Sequence, residues 1–201
     1  GGGMYNVYSS PSITNSSFSG NSADNGGGGM RNTNSSPSIS NTAFRGNVAN
    51  VGGGMHNSSS SPSISNTTFS GNTAILGGGM YNEGSSLSIT NTSFSRNIAS
   101  LEGGGMYNNS SSPSISNTTF SENTATTRSG GGIYNSSSSP IINNTVFYGN
   151  TAPTRGGGGI YNDRSAPIIN NTVFYGNTAN FGELDISGDN IDSSSAHNAS
   201  D

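Results

Sequence analysis

The sequence predicts an all-β solenoid, a parallel β-helix of about seven coils of 25–27 residues. Three observations predict it. The segment Gly-Gly-Gly-Met-Tyr-Asn opens the chain at residues 1–6 and recurs with Met30, Met55, Met80, Met106, Ile133 and Ile160 in the position of Met4, at spacings of 26, 25, 25, 26, 27 and 27 residues. A fixed period in this range marks units that bury their apolar faces only by stacking. Within each repeat the distances from the Met/Ile position to a Pro position (seven), to Phe (seven more) and to Ala (five more) never vary. The segments between these marks are short, alternate apolar with polar residues, and are punctuated by Gly, Pro, Asn and Ser, as half-buried strands and their turns require.

Taken in order, the first element of a coil is the Met/Ile strand. The second follows Pro and carries Ile13, Ile39, Ile64, Ile89, Ile115, Ile142 and Ile169; only Leu87 replaces the Pro. The third carries Phe18, Phe44, Phe69, Phe94, Phe120, Phe147 and Phe174. An Ala column from Ala23 to Ala179 leaves room for the Phe side chains. All length variation falls between Ala and the next Met/Ile, so the expectation is three strands with fixed corners and one variable corner. Coils of this kind stack about 4.8 Å apart, and each buries three large side chains worth roughly 1.5–3 kcal/mol apiece. Asparagine repeats in three columns, starting at Asn6, Asn15 and Asn21. Stacked amides bond from coil to coil, and Asn tolerates the left-handed backbone of a corner. Gly20, Gly46, Gly71, Gly149 and Gly176 precede the third column; Arg96 and Glu122 break that glycine series in adjacent coils and are placed to pair. The domain division is 1–182, seven β-helix repeats, and 183–201, a divergent acidic half-coil and tail in which Leu184 and Ile186 alternate as a strand would. Ser111, in a serine run, is expected to tolerate Ala.

Composition narrows the function. Hydrophobic residues are 28% and charged residues 8%, with 31 glycines and no lysine, a profile that would suggest disorder were the apolar residues not held in register. A net charge of −4 and no basic stripe exclude a nucleic-acid partner. No apolar run approaches a membrane span. The chain lacks Cys, which removes disulfide and thiol chemistry and suits a bacterial surface better than a disulfide-stapled secreted domain. Starting at Gly1 with no visible signal peptide, it reads as a processed piece of a longer product.

Phe-x-x-Asn occurs in every repeat, as in Phe69-Ser70-Gly71-Asn72 and Phe147-Tyr148-Gly149-Asn150, each after a Gly-Gly-Gly-Met/Ile segment. With its Asn ladders the chain resembles the right-handed parallel β-helices of the pectin-lyase-like superfamily. The motif pair is most similar to the surface repeats of bacterial polymorphic outer-membrane proteins, which combine Phe-x-x-Asn with Gly-Gly-Ala-Ile/Leu/Val. The resemblance covers residues 1 to about 182 and departs from the pattern in having Gly for Ala. It implies a secreted or surface-anchored passenger, adhesive and not enzymatic.

Candidate sites divide by column. Glu83 and Asp163 share one but stand three coils apart, about 14 Å by strand spacing, beyond the roughly 5–9.5 Å of a glycosidase carboxylate pair; the expectation is no catalytic residues. His56 takes a Tyr position as a surface variant and His197 lies in the tail, so neither makes a metal site, and no cofactor is expected. The acidic tail fits no defined calcium loop. Tyr81, Tyr107, Tyr134 and Tyr161 follow Met or Ile and point outward; they read first as cross-coil stacking, and second as a surface for a sugar chain or neighbouring protein. Ser-x-Ser/Thr pairs such as Ser63 with Ser65 make a hydroxyl array like that of ice-binding solenoids, but the array turns to Ile141 and Ile168. The expected function is a non-enzymatic, extracellular or cell-surface rod working in adhesion or head-to-tail self-association, a homo-oligomer whose assembly edges are Met4, Tyr5 and Asn6 at one end and Leu184, Asp185 and Ile186 at the other. A carbohydrate-binding or carbohydrate-active β-helix and an ice-binding solenoid are the alternatives.

Overall fold

A computed structural model describes residues 1–154, 156–181 and 185–188. Each coil contains four strands, not three. In the first coil these are β1 (Met4–Val7), β2 (Ser12–Thr14), β3 (Ser17–Ser19) and β4 (Ser22–Gly26); in the second, β5 (Met30–Thr33), β6 (Ser38–Ser40), β7 (Ala43–Arg45) and β8 (Val48–Val51); β9 (Met55–Ser58) opens the third. The fourth strand carries the Ala column and shrinks to Thr124–Ala125, Thr151–Ala152 and Thr178–Ala179 in later coils, too short to show a two-residue alternation in sequence. Equivalent strands pair in parallel to form four sheets, one of eight strands and three of seven. The eighth strand, Ile186–Gly188, pairs with Ile160–Asp163 and extends the Met/Ile column by one residue. Of the segment 183–201, only 185–188 belong to the described residues.

The predicted core columns all face inward. Every Phe from Phe44 to Phe174 is fully buried, as are the Met/Ile residues from Met30 to Ile160; Met4 and Phe18, in the first coil, are partly buried. Successive Phe rings stack with centroids 4.7–4.9 Å apart and planes within 7°, a spacing set by the backbone ladder rather than by ring preference.

The Phe-x-x-Asn motif has a physical cause. Asn72 Nδ2 donates both to Asn97 Oδ1 (2.9 Å) and to the Phe44 carbonyl of the preceding coil (3.0 Å), while Asn72 Oδ1 accepts from the Asn47 backbone N–H (3.0 Å). The same set recurs from Asn47 to Asn150, and Asn177 keeps the bond to the Phe147 carbonyl with the Asp185 carboxylate in place of the next amide. One buried amide therefore satisfies a corner N–H, a strand carbonyl and its own neighbours. The column beginning at Asn6 is a second amide ladder, at 2.8–2.9 Å. The column beginning at Asn15 is not. Its seven residues are exposed and hold φ of 47–49° at a corner, so backbone conformation selects Asn there. The Ser or Thr that follows bonds its hydroxyl to the carbonyl two residues back, as Thr67 does to Ser65 (2.8 Å).

Gly52 has φ +59°, and a Cβ on it would collide with the Met55 carbonyl. Gly54 accepts no side chain either, because its Cβ would lie 2.6 Å from the Gly79 carbonyl oxygen and 2.9 Å from the Phe69 ring.

Ser111 corrects the expectation of tolerance. It is 1% exposed, its hydroxyl donates to the Asn109 carbonyl (2.9 Å) and accepts from the Ser85 N–H (2.9 Å). Ser35, Ser60, Ser85, Ser138 and Ser165 repeat the arrangement. Thermal denaturation should therefore rank three variants. Phe94→Ala should lose about 3–5 kcal/mol, Ser111→Ala about 1–3 kcal/mol from the orphaned N–H, and the exposed Ser114→Ala less than about 0.5 kcal/mol. Asn97→Asp should lose about 3–5 kcal/mol at neutral pH, because a carboxylate would face the Phe69 carbonyl and Asn123 Oδ1 without a donor. Burial raises such a carboxyl's folded pKa, so the deficit should narrow as pH falls through it. A pH-independent deficit in chemical denaturation would contradict the ladder geometry.

Candidate functional site

The outward face of the eight-stranded sheet carries the most chemistry. Register places Tyr5, Arg31, His56, Tyr81, Tyr107, Tyr134 and Tyr161 in one column. The four predicted tyrosines are brought together: Tyr81–Tyr107, Tyr107–Tyr134 and Tyr134–Tyr161 stack at 5.2, 4.9 and 5.3 Å with interplanar angles of 12–17°.

They point outward but are not freely exposed. Tyr134 is 8% exposed and the other three are half-buried. The ends of the fourth-sheet strands supply a second column, Gly26, Val51, Leu76 and Glu102, beside them. Glu102, itself 8% exposed, bonds Arg128 one coil on at 3.3 Å. Burial, and then the Glu102 charge, push the Tyr107 hydroxyl up to about 12 and raise that of Tyr134 further; burial raises Tyr81 as well. The overhang comes from the variable corner, whose length differs between repeats, so strand alternation alone does not reveal it.

His56 is a correction. It is 6% exposed, not on the surface, and packs edge-on to Tyr81 at 5.2 Å. Its neighbour Arg31 lies 5.4 Å over the Tyr5 ring. A second aromatic stack escaped the sequence reading. Tyr148 and Tyr175 stack at 5.2 Å on the outer face of the Phe sheet, beside outward Val146 and Val173, and the exposed Ile141 and Ile168 lie across the adjoining corner. The sequence signal was the change from a small or polar flank in earlier coils (Ser, Ala or Thr before Phe, Ser or Arg after it) to Val-Phe-Tyr at 146–148 and 173–175.

The carboxylates remain apart. Glu83 and Asp163 share a column with Asn109 and Ser136 between them. Among the described residues, further ion pairs are Arg96–Glu122 at 2.6 Å, at the predicted corner, and Arg164–Asp163 at 3.4 Å. Among the described residues no three His, Cys, Asp or Glu side chains gather as a metal site would require, and no helix is long and apolar enough to cross a membrane.

Of the predicted edges, Met4 and Tyr5 lie on the outermost strand of the sheet, Tyr5 54% exposed, while Asn6 is buried and donates to Asn32 Oδ1 at 2.8 Å. Asp185 accepts from Ile160 N–H through its carbonyl (2.7 Å) and from Asn177 Nδ2 through its carboxylate (2.9 Å), and Ile186 pairs with Ile160. Leu184 lies outside the described residues, as do His197 and the other tail acids.

Four parallel sheets with internal Phe, Met/Ile and Asn columns define a parallel β-helix. The chain belongs to the right-handed β-helix family, whose model, described as "Right handed beta helix region", matches residues 3–179. No curated protein and no solved structure matches it.

Raised tyrosine pKa values carry a stability signature. Each buried hydroxyl favours the neutral form in the fold, so its contribution is complete below pH 10 and is lost as pH rises through the folded value. The melting temperature should fall between pH 10 and 12, and Glu102→Gln, which removes a charge that raises the tyrosines, should make that fall smaller and end it at lower pH. Tyrosinate absorbance near 295 nm, followed through the same range, should show Tyr107 and Tyr134 ionising late.

Proposed function

We propose that this protein is a non-enzymatic, extracellular or cell-surface rod that works by presenting repeated surface columns, in adhesion or in end-to-end self-association. The observation that carries this reading is the constancy of the coil. Strand order repeats in all four sheets from the first coil to the seventh, so outward columns bring equivalent positions back at intervals of about 4.8 Å, as in the stacked Tyr81, Tyr107, Tyr134 and Tyr161. Such a surface suits multivalent contact. Hydrolysis of a polymer needs instead a convergence of unlike groups at one place, and the shared-column carboxylates stand three coils apart. Open strand edges at the first coil and the partly buried Met4 and Phe18 there favour stacking against a further coil, supplied by this chain's continuation or by another copy. The similarity of Phe-x-x-Asn and Gly-Gly-Gly-Met/Ile to bacterial surface repeats supports the extracellular placement.

A specific observation favours a second reading, carbohydrate binding. Tyr175 is 47% exposed and stacks on Tyr148 at 5.2 Å, a platform whose faces and edges suit sugar rings. Two measurements decide. Light scattering over a concentration series should show association, and Tyr5→Pro, which removes an edge-strand donor, should reduce it. In parallel, a glycan array and a polysaccharide-cleavage assay should be run. Cleavage that disappears in the folded double variant Glu83→Gln, Asp163→Asn would overturn the non-enzymatic reading, and array binding lost in Tyr175→Ala would select the carbohydrate one.

A further inference from the structure

In a repeat protein, departures from the repeat that converge in space single out a place under a different constraint. Three converge here. Arg31 and His56 stand where other coils have Tyr, on adjacent strands β5 and β9. Gly26 stands where the next three coils have Val51, Leu76 and Glu102, and a Cβ on it would come within 2.5 Å of His56 Nδ1. Only glycine leaves room there for the imidazole, which packs directly against the strand end together with Val51.

The same spot holds polar atoms that the fold leaves unbonded. Arg31 Nε, Thr33 Oγ1, His56 Nδ1 and His56 Nε2 are buried without a protein hydrogen-bond partner. Thr33 shares the outer face of β5 with Arg31, two residues on. Elsewhere the protein spends an amide or hydroxyl on nearly every buried group, so four orphaned atoms on two neighbouring strands stand out.

We propose that Arg31, Thr33 and His56 form a binding site for a small oxyanion of the carboxylate or phosphate class. Arg31 Nε–H, one His56 N–H and the Thr33 hydroxyl are three donors with a fixed positive charge among them, and charge-assisted bonds to an oxyanion are the strong kind. A cation is disfavoured by Arg31, and the in-register neighbours of these residues, Tyr5, Tyr81, Val7 and Ser58, bring no carboxylate. Without an anion, burial first, then the charges of Arg31 and the Gly1 amino group, hold the imidazole down to about 4. Bound negative charge opposes both charges, so binding and protonation of His56 are linked.

The test is NMR of the histidine ring protons of the intact protein, titrated with sodium acetate and, separately, inorganic phosphate at constant ionic strength in sodium chloride. The expected result is a saturable shift of the His56 ring and titration of His56 at higher pH with the anion than without it. Acetate and phosphate acting alike mark a general oxyanion site; saturation by only one assigns the class. Arg31→Gln should weaken the anion by at least about tenfold, and Gly26→Val, whose side chain would collide with the imidazole and displace His56, should weaken it likewise. His56→Tyr restores the residue of the repeat and should keep the melting temperature; monitored by the Tyr5 and Tyr81 rings, it should no longer respond to anion. A His56 ring indifferent to both anions, or an equal response in the folded Arg31→Gln and Gly26→Val variants, would overturn the proposal.

Discussion

The constraint on which the structure depends is the axial repeat of the backbone ladder. Each residue lies about 4.8 Å from its equivalent above and below, so every side chain must tolerate a copy of itself at that distance. Phe satisfies this by stacking, Met and Ile by packing, and Asn by donating to the next amide and accepting from the last. Charge does not satisfy it. Like charges one coil apart repel by about 1 kcal/mol in water and by several near a protein surface. That accounts for a chain with 8% charged residues and no lysine. Among the described residues, two ion pairs join adjacent coils, each of opposite sign: Arg96 with Glu122 and Glu102 with Arg128.

The second consequence concerns how so polar a chain stays folded. With 28% hydrophobic residues, the interior contributes three large side chains per coil in its Met/Ile, Ile and Phe columns, and the interior positions outside these and the Ala, Gly and Pro/Leu87 positions are mostly polar. Asn, Ser and Thr fill them because each offers both a donor and an acceptor. The Asn of Phe-x-x-Asn reaches the carbonyl of the preceding Phe, and the Ser of the Ser111 column takes the N–H of the preceding coil while returning its own proton to a local carbonyl. The backbone at the corners leaves ladder geometry, and its orphaned groups are met by these side chains. Cohesion is thus carried by hydrogen-bonded columns as much as by apolar burial, and these columns are intolerant of substitution for reasons of valence rather than volume.

The parts legible in the sequence were those that obey the repeat strictly. The Met/Ile, Ile and Phe columns, the number of coils, the Asn columns and the Arg96–Glu122 pairing follow from spacing alone. What was illegible depended on geometry across the corner. The fourth strand is two residues long in later coils, below the length at which alternation is visible. The column beginning at Asn15 looks in sequence like the other two, yet φ selects its Asn and leaves the amide exposed. Serine runs read as solubilising, because nothing in a run of Ser distinguishes the one buried hydroxyl from its exposed neighbours. Burial of the tyrosines and of His56 depends on residues at the variable corner packing over a different strand, a relation that no within-strand pattern encodes.

Those same irregular places carry the individuality of the molecule. A residue inside a ladder is fixed by its copies, and changing one member disturbs both neighbours. A residue at the variable corner or on an outward column meets weaker constraints, so function is free to write there. Gly26 over His56, Glu102 over Tyr107 and Tyr134, and the shift to Val-Phe-Tyr in the last two coils are all of this kind. Each modifies one stretch of the rod without altering its cross-section. The regular interior and the irregular exterior are therefore two sides of one arrangement: the ladders hold position so rigidly that single substitutions on the outside suffice to give one coil a charge, a buried imidazole or an aromatic platform that the others lack.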